Sequence, residues 1–190
     1  MNIAITRVAD GYSRRAFTVA DVFKMIEAGI LDEDEKFELI EGEIVPMSPK
    51  GNQHEVLKAA LTELLAREKP DDLRLAVETS LYLSTRSFVE PDLCLYPKRL
   101  MPEDVKGHDV LLAIEVAGSS LGYDRGLKSR LYATHGVREL WVIDAARRAT
   151  WIYKRPNSDG SWESVEENGP DAILVPEALP HIMIVLAGLD

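Results

Sequence analysis

Two carboxylates stand where carboxylates are costly. Glu115 lies inside VLLAIEVA, the nearly apolar run Val110–Ala117. An ionised carboxylate buried in such a strand costs several kcal/mol unless it is paired, protonated or bound to a metal. Asp92 follows Pro91 in the run Val89-Glu90-Pro91-Asp92-Leu93-Cys94-Leu95. Taken singly, each has an ordinary explanation. Glu115 fits a buried salt bridge or a strand end that reaches solvent. Asp92 fits an edge or turn aspartate, because proline belongs at sheet edges and strand starts. Taken together they say more, because neighbouring strands that each contribute a carboxylate can aim both at one point. Hard oxygen ligands there make a site for Mg²⁺ or Mn²⁺, completed by water, substrate phosphate and a backbone carbonyl. Such a site wants a lysine nearby, to hold the attacking water or the growing negative charge. The position two after Glu115 is Ala117, so the candidate is Lys128, on the helix that follows. Asp124 and Lys128 are four apart and share a helix face, so an ordinary ion pair between them is the alternative.

These positions need elements to hold them. Thr18 to Ala28 reads as a short helix, with Thr18 as cap, Asp21 three residues on, and Gly29 as its stop. Phe37–Leu39 and Ile44–Met47 flank Glu41-Gly42, a two-residue hairpin turn. After the loop 48–52, Asn52 is expected to cap a helix from about Gln53 to Glu68. Its stripe is Val56, Leu57, Ala60, Leu61, Leu64 and Leu65, and Pro70 stops it. The period then changes to two: Leu73, Leu75, Val77, Thr79, Leu81 and Leu83 predict one half-buried strand. Val89–Leu95 predicts a second, and Val110–Ala117 a third, covered on both faces. Tyr123 to His135 reads as a helix closed by Gly136, and Glu139–Asp144 as a buried strand. A hairpin, Thr150–Lys154 with Trp162–Val165, and a terminal strand near Ile182–Leu186 complete the chain. The core order is helix, strand, strand, strand, helix, strand. The crossover from 110 to 144 implies one parallel pair inside an otherwise antiparallel, and therefore mixed, sheet flanked by helices. This α+β to α/β reading treats 1–190 as a single domain. Residues 18–52 form an N-terminal helix-and-hairpin extension, 53–144 the core, and 145–190 a C-terminal hairpin and strand.

Composition narrows the functional classes. The chain has 190 residues, 46% of them hydrophobic, enough to bury a real core. No apolar run approaches the ~20 residues of a membrane span, and the N-terminus lacks the apolar stretch of a signal peptide. A cytoplasmic protein without a membrane partner is expected. The one cysteine, Cys94, excludes an internal disulfide framework and a thiolate zinc cage. The four histidines have no metal-ligand spacing, and no phosphate loop or Gly-x-Ser-x-Gly elbow is present. A net charge of −10 argues against indiscriminate nucleic-acid binding. The charge is unevenly spread, however. Residues 21–43 carry nine acids and two bases, whereas 124–155 carry eight bases and three acids. The second stretch can form a basic face on an acidic body.

The ordered set of motifs resembles the Uma-type putative restriction endonuclease family, within the PD-(D/E)xK nuclease superfamily. The set comprises FELIEGEIVPMSP, His54 opening a helix, EPD, AIEVAGSS, and D-x-x-x-K-x-x-x-Y ahead of HGVRELWVID. It spans about residues 18–155. The resemblance implies a restriction-endonuclease-like core and a metal-dependent endonuclease acting on DNA. It makes Asp92 the aspartate of the PD element and a metal ligand. Glu115 becomes the second ligand, with the Val116 backbone carbonyl as a third. Lys128 replaces the lysine missing at Ala117. Glu38 and His54 match positions near the same pocket. The cofactor would be Mg²⁺ or Mn²⁺, the partner DNA, and a homodimer would suit cleavage of two strands.

Two other classes compete: a binding or regulatory module that keeps the fold without catalysis, and a structural protein in which Glu115 and Lys128 are only a buried ion pair. They differ in expected energetics. In the nuclease reading two unpaired buried carboxylates would repel each other without metal, so Glu115→Gln should leave the fold intact or even stabilise the metal-free protein. In a buried ion pair the same change would strand a lysine and destabilise it.

Overall fold

The computed structural model describes residues 5–7 and 13–189. The predicted single-domain span also includes 1–4, 8–12 and 190, which lie outside the described residues. Contacts divide the chain into two compact units. One is Met1–Met47 with Ser80–Glu90, and the other is Ser48–Thr79 with Pro91–Asp190.

In the first unit, β1 (Ile5–Arg7) pairs antiparallel with β2 (Ser13–Arg15). Helix α1 (Val19–Glu27) begins with the predicted capping box: the Asp21 amide donates to Thr18 Oγ1, and the Thr18 amide donates to the Asp21 carboxylate. β3 (Phe37–Ile40) and β4 (Glu43–Pro46) form the predicted hairpin. Its turn residues Glu41 and Gly42 both have positive φ (50° and 92°), as this tight turn requires. A Cβ on Gly42 would sit 2.6 Å from that of Ala16, so only glycine fits there. β6 (Leu81–Ser84) and β7 (Ser87–Val89) extend the hairpin into a four-stranded antiparallel sheet in the order β4-β3-β7-β6. Val22, Phe37 and Leu39 are its buried core, with Phe17, Val19, Ile26, Ile44 and Phe88 packed around them.

The second unit carries a six-stranded sheet. Its strands are β5 (Leu73–Val77), β8 (Leu93–Pro97), β9 (Leu112–Ala117), β10 (Glu139–Asp144), β11 (Thr150–Pro156) and β12 (Trp162–Asn168), ordered β12-β11-β10-β9-β8-β5. Only β9 and β10 are parallel, so the predicted mixed sheet with a single parallel pair is present. Helix α2 (Asn52–Glu68) precedes β5. A helical rod joins β9 to β10 in three consecutive pieces: α3 (Leu121–Tyr123), a π-helical turn (Asp124–Lys128) and α4 (Ser129–Thr134). Gly136, at φ 77°, ends it. Leu57, Leu61 and Leu65 of α2 share one core with Leu93, Leu95, Leu112, Ile114 and Val116 of the sheet. Strand alternation therefore turns Glu115 to the opposite face, that of the helical rod.

The structure corrects five expectations. The predicted strand 73–83 is two strands in two different sheets. Glu78 at φ 47° turns the chain between them, while alternation continues across the break because both halves bury leucines. The predicted strand 89–95 likewise divides into β7 and β8, with the break at Glu90–Asp92, where Pro91 has no N–H to give a ladder. There are thus separate sheets, where one was expected. Asn52 is inside α2, not its cap; Gly51 holds the cap position without a side-chain bond. The predicted terminal strand at 182–186 is one isolated bridge, Leu174 to Ile184, followed by a 3₁₀ turn at Leu186–Gly188. Among the described residues, no helix is long and apolar enough to cross a membrane.

Candidate functional site

Asp92 occupies the bend just before β8 and is 4% exposed. Its carboxylate is gripped from three directions. Oδ2 accepts the Val116 amide at 2.8 Å. Oδ1 accepts Lys50 Nζ at 2.8 Å and His54 Nε2 at 3.0 Å. Lys50 comes from the loop before α2, and His54 from the first turn of α2. Burial pushes the Asp92 acid up, but hydrogen bonds from His54 and Lys50, with the Lys50 charge, outweigh it and hold the pKa at about 2. Asp92 is therefore an anion throughout the physiological range.

Glu115 is equally buried, at 4%. Leu93 pairs with Ile114 across β8 and β9, so Asp92 and Glu115 fall next in line at the same end of that pairing. Glu115 Oε1 accepts Lys128 Nζ at 2.9 Å and the Tyr132 hydroxyl at 2.5 Å. Lys128 closes the π-helical turn and Tyr132 stands four residues on, so one side of the rod supplies both donors. Both are buried, Lys128 at 3% and Tyr132 at 0%. A π-turn inserts an extra residue per turn and is frequent at functional sites. Asp124, at the start of that turn, accepts the Ser120 hydroxyl at 2.6 Å. On the same face of the sheet, burial pushes the Cys94 thiol up to about 12, with the charge of Glu115 adding to the effect.

A further ionic chain is attached to Asp92. Lys50 also hydrogen-bonds Glu78, whose Oε1 accepts Lys58 Nζ at 2.5 Å; Lys58 in turn bridges to Glu55 Oε2 at 2.8 Å. Burial alone would lower the Lys50 and Lys58 pKa values, but the facing carboxylates raise both, so both carry charge.

The sequence-predicted residues are thus distributed as follows. Asp92 with His54, and Glu115 with Lys128, are in direct contact. Val116 touches Asp92 through its amide N–H. Glu38 lies on β3 in the first unit, buried, where it accepts the Glu90 amide at 2.9 Å. The expected mutual repulsion of unpaired carboxylates does not hold, because each has its own ammonium: Lys50 for Asp92, Lys128 for Glu115. Sequence reasoning missed Lys50, Lys58 and Glu78, and it quoted Tyr132 only as the last position of the D-x-x-x-K-x-x-x-Y motif, without a role. Lys58 could have been found, four residues after His54 on one helix face. Lys50 and Glu78 gave no periodic signal, since one sits in a loop and the other at a strand break.

Several bases of the stretch 124–155 have partners within the chain, some of them at the surface. Arg125 stacks 3.8 Å over Trp151, Lys154 faces Glu139 and Glu177, and Arg155 pairs with Glu163. Arg148 donates to the carbonyls of Leu186 and Leu189. Arg130, Arg138 and Arg147 are exposed.

The donor chemistry suits a hard divalent ion. Asp92 and Glu115 supply anionic oxygens, and neither a thiolate nor a His pair competes. Among the described residues, no three His, Cys, Asp or Glu side chains are grouped to hold a metal by themselves. A cation at this pair would therefore complete its shell with a backbone carbonyl, water and substrate oxygens, as Mg²⁺ commonly does.

A family model described as "Putative restriction endonuclease" matches residues 20–187. Among solved structures, the chain is similar to a putative nuclease from Anabaena variabilis. The TM-score is 0.68 and the identity 16%, over 91% of this chain and 97% of the other. At that identity the likeness speaks for the fold. No curated protein matches. With nearly the whole chain matched by the family model, on the same elements that hold Asp92, Glu115 and Lys128, this protein belongs to the Uma2 family.

Proposed function

We propose that this protein is a metal-dependent endonuclease hydrolysing DNA phosphodiester bonds on a restriction-endonuclease-like core. The observation that carries the reading is the 2.9 Å contact between Glu115 and Lys128, with Asp92 next in line on the adjoining strand. An acid, a second acid and an ammonium are the groups that phosphodiester hydrolysis needs, and the migrated lysine reaches the acid from the helix.

Asp92, Glu115 and the Val116 carbonyl would hold Mg²⁺ or Mn²⁺. Bound there, the ion would lower the pKa of the attacking water and offset charge on the phosphate. The chain's own groups do the rest. His54 and the Val116 amide fix the Asp92 carboxylate in one orientation. Tyr132 fixes Glu115, and Lys128 offers an ammonium to the attacking water or to a phosphate oxygen. The exposed Arg130, Arg138 and Arg147 offer charge to the DNA backbone. The reading places the protein in the cytoplasm, and a homodimer would let two such sites cut two strands.

One observation favours a second reading, an inactive binding or regulatory module. Both carboxylates are already charge-balanced by lysines. Cleavage of plasmid and linear DNA with Mg²⁺ or Mn²⁺ decides between them. Metal-dependent nicking abolished by Asp92→Asn supports the nuclease. DNA binding without cleavage, unchanged by that substitution, supports the module.

A further inference from the structure

The ionic chain Glu55–Lys58–Glu78–Lys50–Asp92 has no evident part in holding the core. Its members come from the loop before α2, from α2, and from the ends flanking the β5–β6 and β7–β8 breaks. Its fourth member, Lys50, is shared between two carboxylates. The ammonium contacts buried Asp92, whose side chain is 6% exposed, and the more open Glu78, at 32%. A cation 2.8 Å from Asp92 Oδ1 stands where a divalent ligand of that oxygen would stand. The two cannot crowd one carboxylate oxygen without strong repulsion. Glu78, however, offers Lys50 a second anchor that it already holds.

We propose that Lys50 is a built-in placeholder cation. It compensates buried Asp92 while the metal is absent, and it yields Asp92 to the metal by retreating onto Glu78. Glu78 is the counter-anchor that makes the retreat possible, and Lys58 holds Glu78 in place. The released ammonium remains tethered beside the site by Glu78. Lys50 is a positioning residue in this scheme, since it acts on the metal through Asp92. The proposal rests on the metal-site reading above and adds a rule to it: the affinity of the site is set by a competition between a divalent ion and an internal lysine.

The rule predicts opposite signs for the two partners of one ion pair. Mn²⁺ is titrated calorimetrically into the full-length protein, into Lys50→Met and into Glu78→Gln, with thermal unfolding recorded for each. Removing the competitor should tighten Mn²⁺ binding about tenfold, because one neighbouring charge is commonly worth a pKa unit or more at a carboxylate. Removing the counter-anchor commits Lys50 to Asp92, so Glu78→Gln should weaken binding by a similar factor. General loosening of the site would weaken both variants together. Lys50→Gln keeps a hydrogen-bonding side chain and loses the charge, so it must tighten binding as Lys50→Met does; it carries the test if Lys50→Met fails to fold. Mn²⁺ binding to the unmodified protein that Lys50→Met and Lys50→Gln leave unchanged or weaken overturns the placeholder alone. Absence of Mn²⁺ binding in all the proteins overturns both the placeholder and the metal site beneath it.

Discussion

Consider Glu115→Gln in the metal-free protein. The substitution keeps shape and volume and removes one negative charge from a pair buried at 4% and 3% exposure. Lys128 Nζ, 2.9 Å away, then loses its counter-ion in a setting that water barely reaches. Breaking one side of a buried pair typically costs ~3–5 kcal/mol. The amide oxygen can still accept the Tyr132 hydroxyl and one Lys128 N–H, so the lower end applies, about 3 kcal/mol. For a chain of this size that corresponds to a fall in Tm of roughly 6–12 °C. The double variant Glu115→Gln/Lys128→Met replaces the stranded charge with an apolar side chain of similar length. It should recover most of the loss, because a buried pair is worth little against a hydrophobic replacement. Urea unfolding at pH 7 of the parent, the two single variants and the double variant closes the cycle. A Glu115→Gln loss below about 1 kcal/mol refutes the argument, and so does a double variant no better than the sum of the singles. Because the ion pair exists whichever function holds, destabilisation here no longer separates nuclease from structural pair, as it would have for unpaired carboxylates. Metal binding and cleavage carry that decision.

Three other outcomes follow from the geometry. Asp92 titrates at about 2 in the folded protein, against 3.8 when unconstrained, so it contributes stability above pH 4 and loses it as pH falls towards 2. The contribution is about 2 kcal/mol, and Asp92→Asn should remove that segment from the acid-unfolding profile. Cys94, with its thiol pushed up to about 12, should resist alkylation at pH 8 in the native protein and react at once in denaturant; ready native labelling would refute its burial. If DNA is held by the exposed bases of the stretch 124–155, Arg130, Arg138 and Arg147 changed together to Ala should flatten the slope of log K against log salt by about 2–3, and an unchanged slope would place the DNA elsewhere.

The parts of the fold that were legible in the sequence obey local rules. The capping box at Thr18 and the Glu41-Gly42 turn depend on neighbours within a few positions, and each appears as read. Of the predicted α2 stripe, Leu57, Leu61 and Leu65 are buried, whereas Val56 is 50% exposed and His54 and Lys58 are buried beside the leucines. The crossover from β9 to β10 follows from an apolar run, a helix and another apolar run, and the parallel pair is there. What failed needed long-range information. Leu81 and Leu83 continue the alternation begun at Leu73, yet they bury in another sheet. Periodicity reports that one face is covered but not by what. The site divides in the same way. Glu115 and Asp92 were visible because charge in an apolar setting is locally anomalous. Lys50 and Glu78 were invisible because a lysine in a loop and a glutamate at a strand end are ordinary until the fold brings them together.

The position of Lys128 has a packing explanation. Ala117, two residues beyond Glu115, points to the same face of β9 and is 0% exposed. A lysine at that position would need four methylenes and an ammonium within the layer where the helical rod crosses the sheet, and overpacking of that kind is itself destabilising. Alanine at 117 lets the rod lie close. The rod then carries the ammonium in from above, with the π-helical turn widening the helix at Lys128. Tyr132, one turn later, brings a hydroxyl to the same Glu115 oxygen. The small residue on the strand and the lysine on the helix are thus two halves of one arrangement. Exchanging them, with Ala117→Lys and Lys128→Ala in the same chain, should therefore cost stability even though the composition of the site is unchanged.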